Sequence, residues 1–315
     1  MKASLHPFRA PLGLATADGT LAWRAGHWIE AGGGVGEIVA WPGFGSGPAA
    51  VQAALARPLP GAPIAEVDDL TRLPPLLPEI RHGLSLALLD GLARRRGLPL
   101  ARLLHEDAPL WAPTHVQVAD AAEARAATRQ GATALKVKIG GAPLAAERRR
   151  LSAIREAAGP AARLRLDANG RLADPDAWLH ALADLDVEWW EQPAPVGAPL
   201  PAAAAVLALD EAIQTAADVD AAAAAGVAVV VLKPAFLGGL LAARDLARHA
   251  ASRGLRVCLT HGFESAVGRA GAAHLAAAMV PELPDLAGGL LPPGPAPLDA
   301  GRLHLADRPG HGGWP

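Results

Sequence analysis

The sequence predicts an α/β protein in which a (β/α)-barrel follows a smaller α+β domain. Short apolar runs recur from about Trp111 onward, and each run is followed by a segment of helical character. Successive run ends are roughly 20–30 residues apart, the length of a strand and a helix with their loops. Seven such runs and a weak eighth suit a parallel barrel. The alternative is an open doubly wound sheet, but no G-x-G-x-x-G follows the first strand of the repeat.

Residues 1–110 do not repeat and are predicted to form the small α+β domain. The segments "LAWRAGHWIEAGGG" and "GEIVAWPGF" indicate strands next to glycine-rich turns. The segment "RHGLSLALLDGLARRRG" predicts an amphipathic helix that ends at Gly97. Its apolar face consists of Leu84, Leu88, Leu89 and Leu92. The Pro/Gly-rich tail, residues 291–315, contains the strand-like piece "GRLHLA" and is expected to complete this domain.

Residues 111–290 are predicted to form the barrel. The strand candidates are "HVQVA", "ALKVKI", "LRLDAN", "VEWWEQP", "LALDEA", "AVVVLKP" and "RVCLTHG", with "LPDLAGGLL" as the weak eighth. Two of the intervening helices have clear boundary signals. Asp174 is a predicted N-cap with Pro175 at the first helical position, and Thr215 is a predicted N-cap of a helix that stops at Gly226.

Composition excludes several classes of protein. Of the 315 residues 51% are apolar and the formal net charge is −2, so a globular chain is expected and nucleic acid is not an expected partner. The most apolar stretch, "AAAAAGVAVVVL", is shorter than the ~20 residues that span a bilayer. The N-terminus lacks the apolar run of a signal peptide, and Cys258 is the only cysteine. We expect a cytoplasmic protein with a small-molecule partner and leave a homo-oligomer open.

Nearly every predicted barrel strand ends on polar or ionisable side chains. From the second to the seventh strand these are Lys136 and Lys138, Asp167 and Asn169, Glu191, Asp210 and Glu211, Lys233, and His261 and Glu264. The C-terminal ends of parallel barrel strands converge at one mouth. The sequence therefore predicts a site in which lysines and carboxylates meet.

The segment "TALKVKIGG" places Lys136 and Lys138 on one face of a strand and apolar side chains on the other, because side chains alternate. Taken alone, the pattern indicates a sheet edge with solvated lysines. An internal strand of a closed barrel has no edge. In the context of the repeat, the lysine face is therefore predicted to point into the barrel mouth.

Asp167, Glu191 and Asp210 stand at the ends of three successive predicted strands. Crowded carboxylates repel one another, and burial makes their charged forms less favourable. A divalent cation removes this conflict, and hard carboxylate oxygens suit Mg²⁺. The alternative is that each acid is a helix N-cap or belongs to a local salt bridge.

Lysines beside such a metal site also suggest a chemistry. A neutral lysine is a competent base, and nearby positive charge lowers its pKa. Lys233 reaches the mouth from the far side of the barrel, opposite Lys136 and Lys138. A base on one side and a cation on the other would suit removal of the α-proton of a carboxylate, with the metal stabilising the resulting enediolate.

The motifs "LKVKIG", "LRLDANG", "WWEQP", "ALDEAI" and "VVLKPAFLGGL", in this order and spacing, resemble the enolase superfamily and within it the muconate-lactonising subgroup. The N-terminal "GEIVAWPGFGS" is similar to the capping domain of that family. Sites of this superfamily combine a lysine or histidine base with Mg²⁺. The resemblance implies that Asp167, Glu191 and Asp210 bind Mg²⁺, with Asn169 and Glu211 supporting these ligands. It implies that Lys138 is the acid/base and that Lys136 adjusts the pKa of Lys138. Lys233 is implied to stabilise the charge on the opposite side of the intermediate. Asp210 and Glu211 are adjacent, so a regular strand cannot turn both inward.

Within the subgroup, the run "LKPAFLGGL…THGFESAVG" is most similar to the o-succinylbenzoate synthase family. This resemblance implies dehydration of 2-succinyl-6-hydroxy-2,4-cyclohexadiene-1-carboxylate in menaquinone biosynthesis. The seventh strand ends in Thr260-His261-Gly262, with Ser265 retained, where related synthases are often serine-rich. The expected substrate contacts are His261, Gly262, Ser265 and Arg24. For Arg24 the alternative is an ordinary surface arginine.

Several alternatives share these residues. An N-acylamino-acid racemase or a muconate cycloisomerase would keep the same site with another substrate. A dipeptide epimerase is less favoured because the eighth strand lacks the D-x-D of that group. A metal-free aldolase would use Lys233 to form a Schiff base. A non-catalytic binding protein would be expected to lose its charged mouth residues.

Overall fold

The computed structural model describes residues 2–11, 23–41, 44–262, 264–289 and 298–312. The N-terminal part is a three-stranded antiparallel sheet with helices beside it. These elements are β1 (Ser4–Pro11), β2 (Trp23–Ala31), β3 (Gly34–Val39), α1 (Pro48–Leu55), α2 (Pro78–Arg96) and α3 (Leu100–Leu104). Strand β1, whose sequence SLHPFRAP lacks a continuous apolar face, was not predicted. It lies at the edge of the sheet, where β2 is its one partner strand within the described residues.

Helix α2 packs directly on β3. Gly36 of β3 and Gly83 of α2 make this close approach possible, because a Cβ on Gly36 would overlap the backbone carbonyl of Gly83. The four leucines that predict the helix are all buried, and Gly97 ends it with a φ of 67°. The helix itself is confirmed, but its predicted amphipathic character is wrong, because residues 82–93 are buried on every side of the helix.

The larger part of the chain is a parallel sheet of eight strands that alternate with helices. After β4 (Trp111–Pro113) the eight strands are β5 (Val116–Gln117), β6 (Ala134–Lys138), β7 (Arg163–Asp167), β8 (Val187–Glu191), β9 (Leu207–Leu209), β10 (Val229–Leu232), β11 (Arg256–Leu259) and β12 (Ala287–Gly288). The helices are α4 (Ala121–Arg129), α5 (Leu144–Ala158), α6 (Pro175–Ala181), α7 (Ala216–Ala224), α8 (Pro234–Leu237), α9 (Leu240–Ser252) and α10 (Ala266–Met279).

The eight-stranded sheet curls so that its first and last strands come together. Gly288 of β12 lies against the backbone of Pro113 and Thr114, just before β5, where a Cβ would overlap them. The Arg165 side chain of β7 crosses the interior and donates from Nη1 to the carbonyl oxygen of Gly288 at 2.6 Å. Cys258 lies in the interior and is 1% exposed. The predicted fold class, a (β/α)-barrel with an α+β domain before it, is confirmed.

The predicted helix boundaries in the barrel also hold. The Asp174 carboxylate accepts a hydrogen bond from the backbone N–H of Ala177 at 3.1 Å, at the start of α6. The Thr215 hydroxyl accepts one from the backbone N–H of Asp218 at 3.3 Å, at the start of α7.

The C-terminal tail contacts both parts of the molecule. Strand β13 (Arg302–His304) pairs antiparallel with β4, and Gly310 exchanges backbone hydrogen bonds with Leu98 and Leu100. The boundaries of the two domains, 1–110 with 291–315 and 111–290, stay a prediction. Among the helices in the described residues, none combines the length and the apolar character needed to cross a bilayer.

A buried histidine in α2 predicts an acid-sensitive stability. His82 is 1% exposed, neither of its ring nitrogens has a partner among the described residues, and burial lowers its pKa to about 4. The unfolded chain takes up a proton on this residue below pH ~6.5, whereas the folded chain resists until the pH approaches 4, so stability is lost as the pH falls through that window.

We therefore expect His82→Leu to lose about 2 kcal/mol less stability than the wild type between pH 7.5 and pH 5. Urea unfolding followed by circular dichroism at both pH values measures the difference. The other buried histidines contribute equally in the two proteins and cancel. If the free energy of unfolding changed with pH equally in the variant and the wild type, His82 would take up a proton as readily in the folded protein as in the unfolded chain.

Candidate active site

Strand β6 turns its two lysines towards the carboxylates of the barrel interior. Leu135 and Val137, on its other face, are fully buried in the core outside the barrel. The ammonium groups of Lys136 and Lys138 both donate to one oxygen, Oδ2 of Asp167, at 2.6 and 2.5 Å. The parallel pairing of β6 with β7 sets Lys138 directly opposite Asp167. The lysines are thus partners of buried acids and do not form a solvated edge.

Lys136 lies between two carboxylates. Its ammonium group also donates to Oε1 of Glu191 at 2.6 Å. Burial alone would lower the pKa of Lys136. The negative charges of Asp167, Glu191 and Asp210 have the larger effect and raise that pKa well above its usual value. Burial would raise the pKa of Asp167, yet the ammonium groups of Lys136 and Lys138 hold it well below its usual range. Burial, assisted by the nearby Asp167, raises the pKa of Glu191 to about 7.

Asp210 comes from the neighbouring part of the sheet. Strand β9 ends at Leu209, so the chain is free of strand geometry at Asp210 and Glu211, which resolves the conflict between two adjacent acids. The side-chain oxygen of Gln192 accepts the backbone N–H of Asp210 at 3.1 Å and holds this turn. The Asp210 carboxylate accepts a hydrogen bond from Lys233. Burial raises the pKa of Asp210, although Lys233 opposes that rise.

Asn169 links the lysine strand to Glu211. Its side-chain oxygen accepts a hydrogen bond from Lys138 at 2.7 Å, and its Nδ2 donates to Oε1 of Glu211 at 3.1 Å. Its backbone N–H donates to Oδ1 of Asp167 at 2.9 Å, and its φ of 46° makes this tight return possible. The two predicted supporting residues therefore touch each other, and Asn169 fixes both Lys138 and Asp167.

The three carboxylates have the chemistry of a site for a hard divalent cation. Asp167, Glu191 and Asp210 stand at the ends of three adjacent strands and are 1%, 2% and 4% exposed. The negative charges of Asp167 and Asp210 both act to raise the pKa of Glu191. As they stand, the carboxylates are drawn to lysine ammonium groups, and the described residues contain no ready-made group of three metal-binding side chains. The donor set fits Mg²⁺ by the type of its oxygen atoms and by its place at the ends of three adjacent strands.

Lys233 is a buried cation rather than a free amine. Burial alone would lower the pKa of Lys233, but the negative charges of Asp210 and Glu211 have the larger effect and raise it. Its Nζ also lies 4.2 Å from the centre of the Phe44 ring, which comes from the N-terminal part of the chain. A Schiff-base nucleophile must be a neutral amine, so this environment disfavours the aldolase alternative.

The predicted substrate contacts cluster at the end of β11 and the start of α10. Arg24 of β2 is 5% exposed, so the alternative of a surface arginine is wrong. Its Nη1 donates to the carbonyl oxygen of Gly262 at 3.0 Å, whereas Nε and Nη2 have no partner among the described residues. Ser265 is the N-cap of α10, and its hydroxyl donates to Oε2 of Glu37 at 2.5 Å. The substrate-binding roles of these residues stay predictions.

His261 is buried beside Arg24 and Glu264. Its Nδ1 lies 3.7 Å from Oε2 of Glu264. Burial, together with the positive charges of Arg269 and Arg24, lowers the pKa of His261 to about 3. The imidazole is therefore neutral at pH 7. Both oxygens of Glu264 are buried without a hydrogen-bond partner among the described residues, and burial raises the pKa of this acid to about 6.

Sequence reasoning missed three residues that shape the site. Gln192 lies in the quoted motif "WWEQP", but its role of holding the turn at Asp210 depends on contacts between strands. Glu37 is fully buried and ties β3 to α10 through Ser265 and Gly268. Phe44 reaches Lys233 from a distant segment of sequence. Only for Gln192 did the sequence offer a signal, its place directly after Glu191.

Comparison with known proteins supplies the family. The sequence model of the family described as enolase C-terminal domain-like matches residues 118–313, more than half of the chain. An o-succinylbenzoate synthase from Thermobifida fusca (strain YX) is 38% identical over 174 residues, which are 51% of this chain and 52% of that protein. The chain thus matches about half the length of this curated relative.

Solved structures agree with the fold along the whole chain. A dipeptide epimerase from Methylococcus capsulatus, complexed with Mg and the dipeptide L-Arg-D-Lys, is 26% identical and has a TM-score of 0.78, with 99% of each chain covered. An N-succinyl Arg/Lys racemase from Bacillus cereus ATCC 14579 is 20% identical and has a TM-score of 0.82, covering 99% of this chain and 95% of that one. At 20% identity, the second likeness concerns the fold alone.

Proposed function

The chain belongs to the enolase C-terminal domain-like family, and we propose that it is an o-succinylbenzoate synthase. The reaction would be the dehydration of 2-succinyl-6-hydroxy-2,4-cyclohexadiene-1-carboxylate, a step of menaquinone biosynthesis in the cytoplasm. The observation that carries the proposal is the 38% identity to a relative of that name, over half of each chain. The lysines and carboxylates at the barrel mouth supply the chemistry that this reaction needs.

The proposed mechanism is a syn elimination in which one lysine moves the proton twice. Lys138, whose nitrogen donates to Asp167 and Asn169, would first release a proton to solvent and would then take the proton from the ring carbon that bears the carboxylate. The carbon–oxygen bond to the neighbouring hydroxyl then breaks, a double bond forms between the two carbons, and Lys138 returns the proton so that water leaves. The ring becomes aromatic, which makes the reaction favourable. Asn169, which accepts a hydrogen bond from Lys138 at 2.7 Å, positions its nitrogen.

The two other lysines and the carboxylates complete the site. Asp167, Glu191 and Asp210 would hold Mg²⁺, which when bound stabilises the negative charge that grows on the substrate carboxylate. Lys136 remains a cation beside Lys138, because the carboxylates raise its pKa. Lys233, also held as a cation, would face the ring from the opposite side and stabilise the same charge.

Arg24 is proposed to bind the second carboxylate of the substrate, at the end of the succinyl arm. Two of its nitrogens are buried without a partner among the described residues, and an unpaired buried donor is costly. A carboxylate with its two oxygens would satisfy both donors at once. His261, Gly262 and Ser265 lie between the end of β11 and the start of α10, where Arg24 contacts Gly262, and would line the same end of the pocket.

The second candidate is an epimerase or racemase that uses the same residues. The dipeptide epimerase with 26% identity over 99% of both chains favours this alternative. A dipeptide carries an ammonium group and therefore needs an acidic partner. The eighth-strand segment "LPDLAGGLL" lacks the D-x-D that is typical of dipeptide epimerases. The dehydratase is therefore the better supported proposal. N-acylamino-acid racemisation and muconate cycloisomerisation are the less favoured alternatives.

We expect the purified protein to convert the hydroxycyclohexadiene substrate to o-succinylbenzoate in the presence of Mg²⁺. Chromatography of the aromatic product measures the rate. Treatment with EDTA should abolish turnover and added Mg²⁺ should restore it, because three buried carboxylates must otherwise be neutralised by lysines. Absence of turnover by the intact protein would refute the assigned substrate, and turnover that survives EDTA would refute the metal.

A further inference from the structure

The backbone carbonyl of Lys138 lies beyond the end of the neighbouring strand, β5. Alternate carbonyls of β6 face β5, and that of Lys136 accepts the backbone N–H of Val118 at 2.9 Å. The next carbonyl on this side is that of Lys138, and continued parallel pairing would give it the N–H of Asp120. Asp120, however, is the N-cap of α4, where the chain has already left the sheet. The strand end that carries the proposed base therefore needs a donor from elsewhere.

Arg150 of α5 supplies this donor. Its Nη2 donates to the carbonyl oxygen of Lys138 at 2.7 Å, and its Nη1 donates to the carbonyl oxygen of Ala119 at 2.8 Å. Ala119 lies between β5 and α4, so one guanidinium joins the ends of two adjacent strands. The donors of a guanidinium form a fixed fork, whereas a lysine ammonium is a single point charge on a flexible stem. Arginine is therefore suited to hold two carbonyls at a set separation.

Glu147 holds the guanidinium of Arg150 in this position. It is 3% exposed, and its Oε2 accepts a hydrogen bond from Nε of Arg150 at 2.8 Å and a second one from Nη2. The two residues are three apart on α5, which puts them side by side on the helix surface. Because a buried carboxylate is costly to leave without its cation, Glu147 and Arg150 act as one unit.

The neighbouring arginines of α5 do not share this role. Three arginines follow one another from Arg148 to Arg150. Arg148 forms a two-point pair with Asp184, at 2.8 and 2.9 Å, away from β6. Arg149 is exposed, and its side chain has no hydrogen bond or ion pair among the described residues. Within this run, the contact with the lysine strand is thus specific to Arg150.

We propose that Arg150 is a positioning residue, which fixes the backbone at Lys138 and through it the direction of the Lys138 amine. The inference rests on the proposed function, since that assigns the proton transfer to Lys138. On the other side of β6, the N–H of Ile139 donates to the carbonyl oxygen of Asp167 at 2.9 Å, so without Arg150 the strand end would be held mainly through β7. Proton transfer needs its atoms in place, and a displacement of about 1 Å can cost about a hundredfold in rate.

The first test is turnover of the hydroxycyclohexadiene by the whole protein with Mg²⁺. We expect Arg150→Ala to lower kcat roughly tenfold to a hundredfold and to change KM less than about threefold, because the groups proposed to bind the substrate stay where they are. Arg150→Lys keeps a charge beside Glu147 but loses the fork, so its kcat should lie between the two. Arg149→Ala is the matched control and should stay within about twofold of the wild type.

The second test follows the Lys138 amine itself and does not depend on the reaction. Acetylation by acetyl N-hydroxysuccinimide ester, read by mass spectrometry, compares each site lysine with the exposed Lys2 of the same molecule. In Arg150→Ala the Lys138 amine is less firmly held against Asp167 and Asn169, so its relative rate should rise roughly threefold to tenfold. Lys136 and Lys233 should stay within about twofold, and the rise in Tm on adding Mg²⁺ should equal that of the wild type.

The outcomes separate positioning from a general role in folding and from the assigned reaction. Unchanged kcat in Arg150→Ala, or equal increases in labelling at all three site lysines, would overturn the proposal. If Arg150→Ala does not fold, Arg150→Lys and Glu147→Gln carry the same two measurements, and a labelling pattern like that of the wild type in both would overturn it. Selective labelling of Lys138 in a protein that fails to dehydrate the hydroxycyclohexadiene would support Arg150 as a positioning residue and refute the assigned substrate.

Discussion

Replacing Lys138 by alanine is expected to lower kcat by at least about a thousandfold, because the residue is proposed to act both as the base and as the acid. Each positioned proton transfer contributes about a hundredfold to ten-thousandfold. The variant leaves Lys136 between Asp167 and Glu191, at 2.6 Å from each, and leaves Asp210 paired with Lys233. KM should change much less than kcat, since the lost interaction belongs mainly to the transition state.

Two further variants show whether the loss is chemical. Lys138→Arg keeps a positive charge near Asp167, but a guanidinium remains protonated and cannot take the α-proton, so it should be nearly as inactive as the alanine variant. Lys2→Ala removes the only lysine that lies outside the site and should leave kcat unchanged. Circular dichroism must show native structure in all three. If Lys138→Ala were nearly as active as the wild type, a group other than Lys138 would have to carry out the proton transfer.

The use of lysine in this chain explains why the site could be predicted from sequence. The sequence contains four lysines against twenty-five arginines, and three of the four lie at the barrel mouth. An arginine would serve for solubility or for a surface salt bridge, but it cannot act as a base near neutral pH. Since parallel strands deliver their C-terminal ends to one place, the positions of these side chains followed from the repeat alone.

The wall of the site could not be predicted in this way. Phe44 meets Lys233 across 189 positions of sequence, and Arg24 meets Gly262 across 238, and in both cases the contact depends on how two parts of the chain pack. No periodic pattern encodes such a contact, since periodicity describes one element at a time. The same limit applies to the pairing of each lysine with its acid. Alternation predicts which face Lys136 occupies, but not that it lies between Asp167 and Glu191.

The second large effect is expected from Glu191→Gln, which should weaken Mg²⁺ binding by about a hundredfold or more. Glutamine keeps the shape of the side chain and one good oxygen donor but removes the negative charge. The change also removes repulsion, because Glu191 is buried beside Asp167 and its pKa is raised to about 7. The metal-free variant should therefore be about as stable as the metal-free wild type, and the cost should appear only when Mg²⁺ is added.

Stability measurements make this prediction independent of the reaction. A ligand that binds only the folded protein stabilises it by about 2.7 kcal/mol at a concentration of 100 Kd, so Mg²⁺ should raise the Tm of the wild type and leave that of Glu191→Gln nearly unchanged. Glu188→Gln is the matched control, because Glu188 lies in the same strand but is paired with Arg165 and Arg256, away from the three carboxylates. It should lower the Tm by loss of that network yet keep the full shift on adding Mg²⁺. Equal shifts in all three proteins would place the metal elsewhere, since the charge of Glu191 would then contribute nothing to its binding.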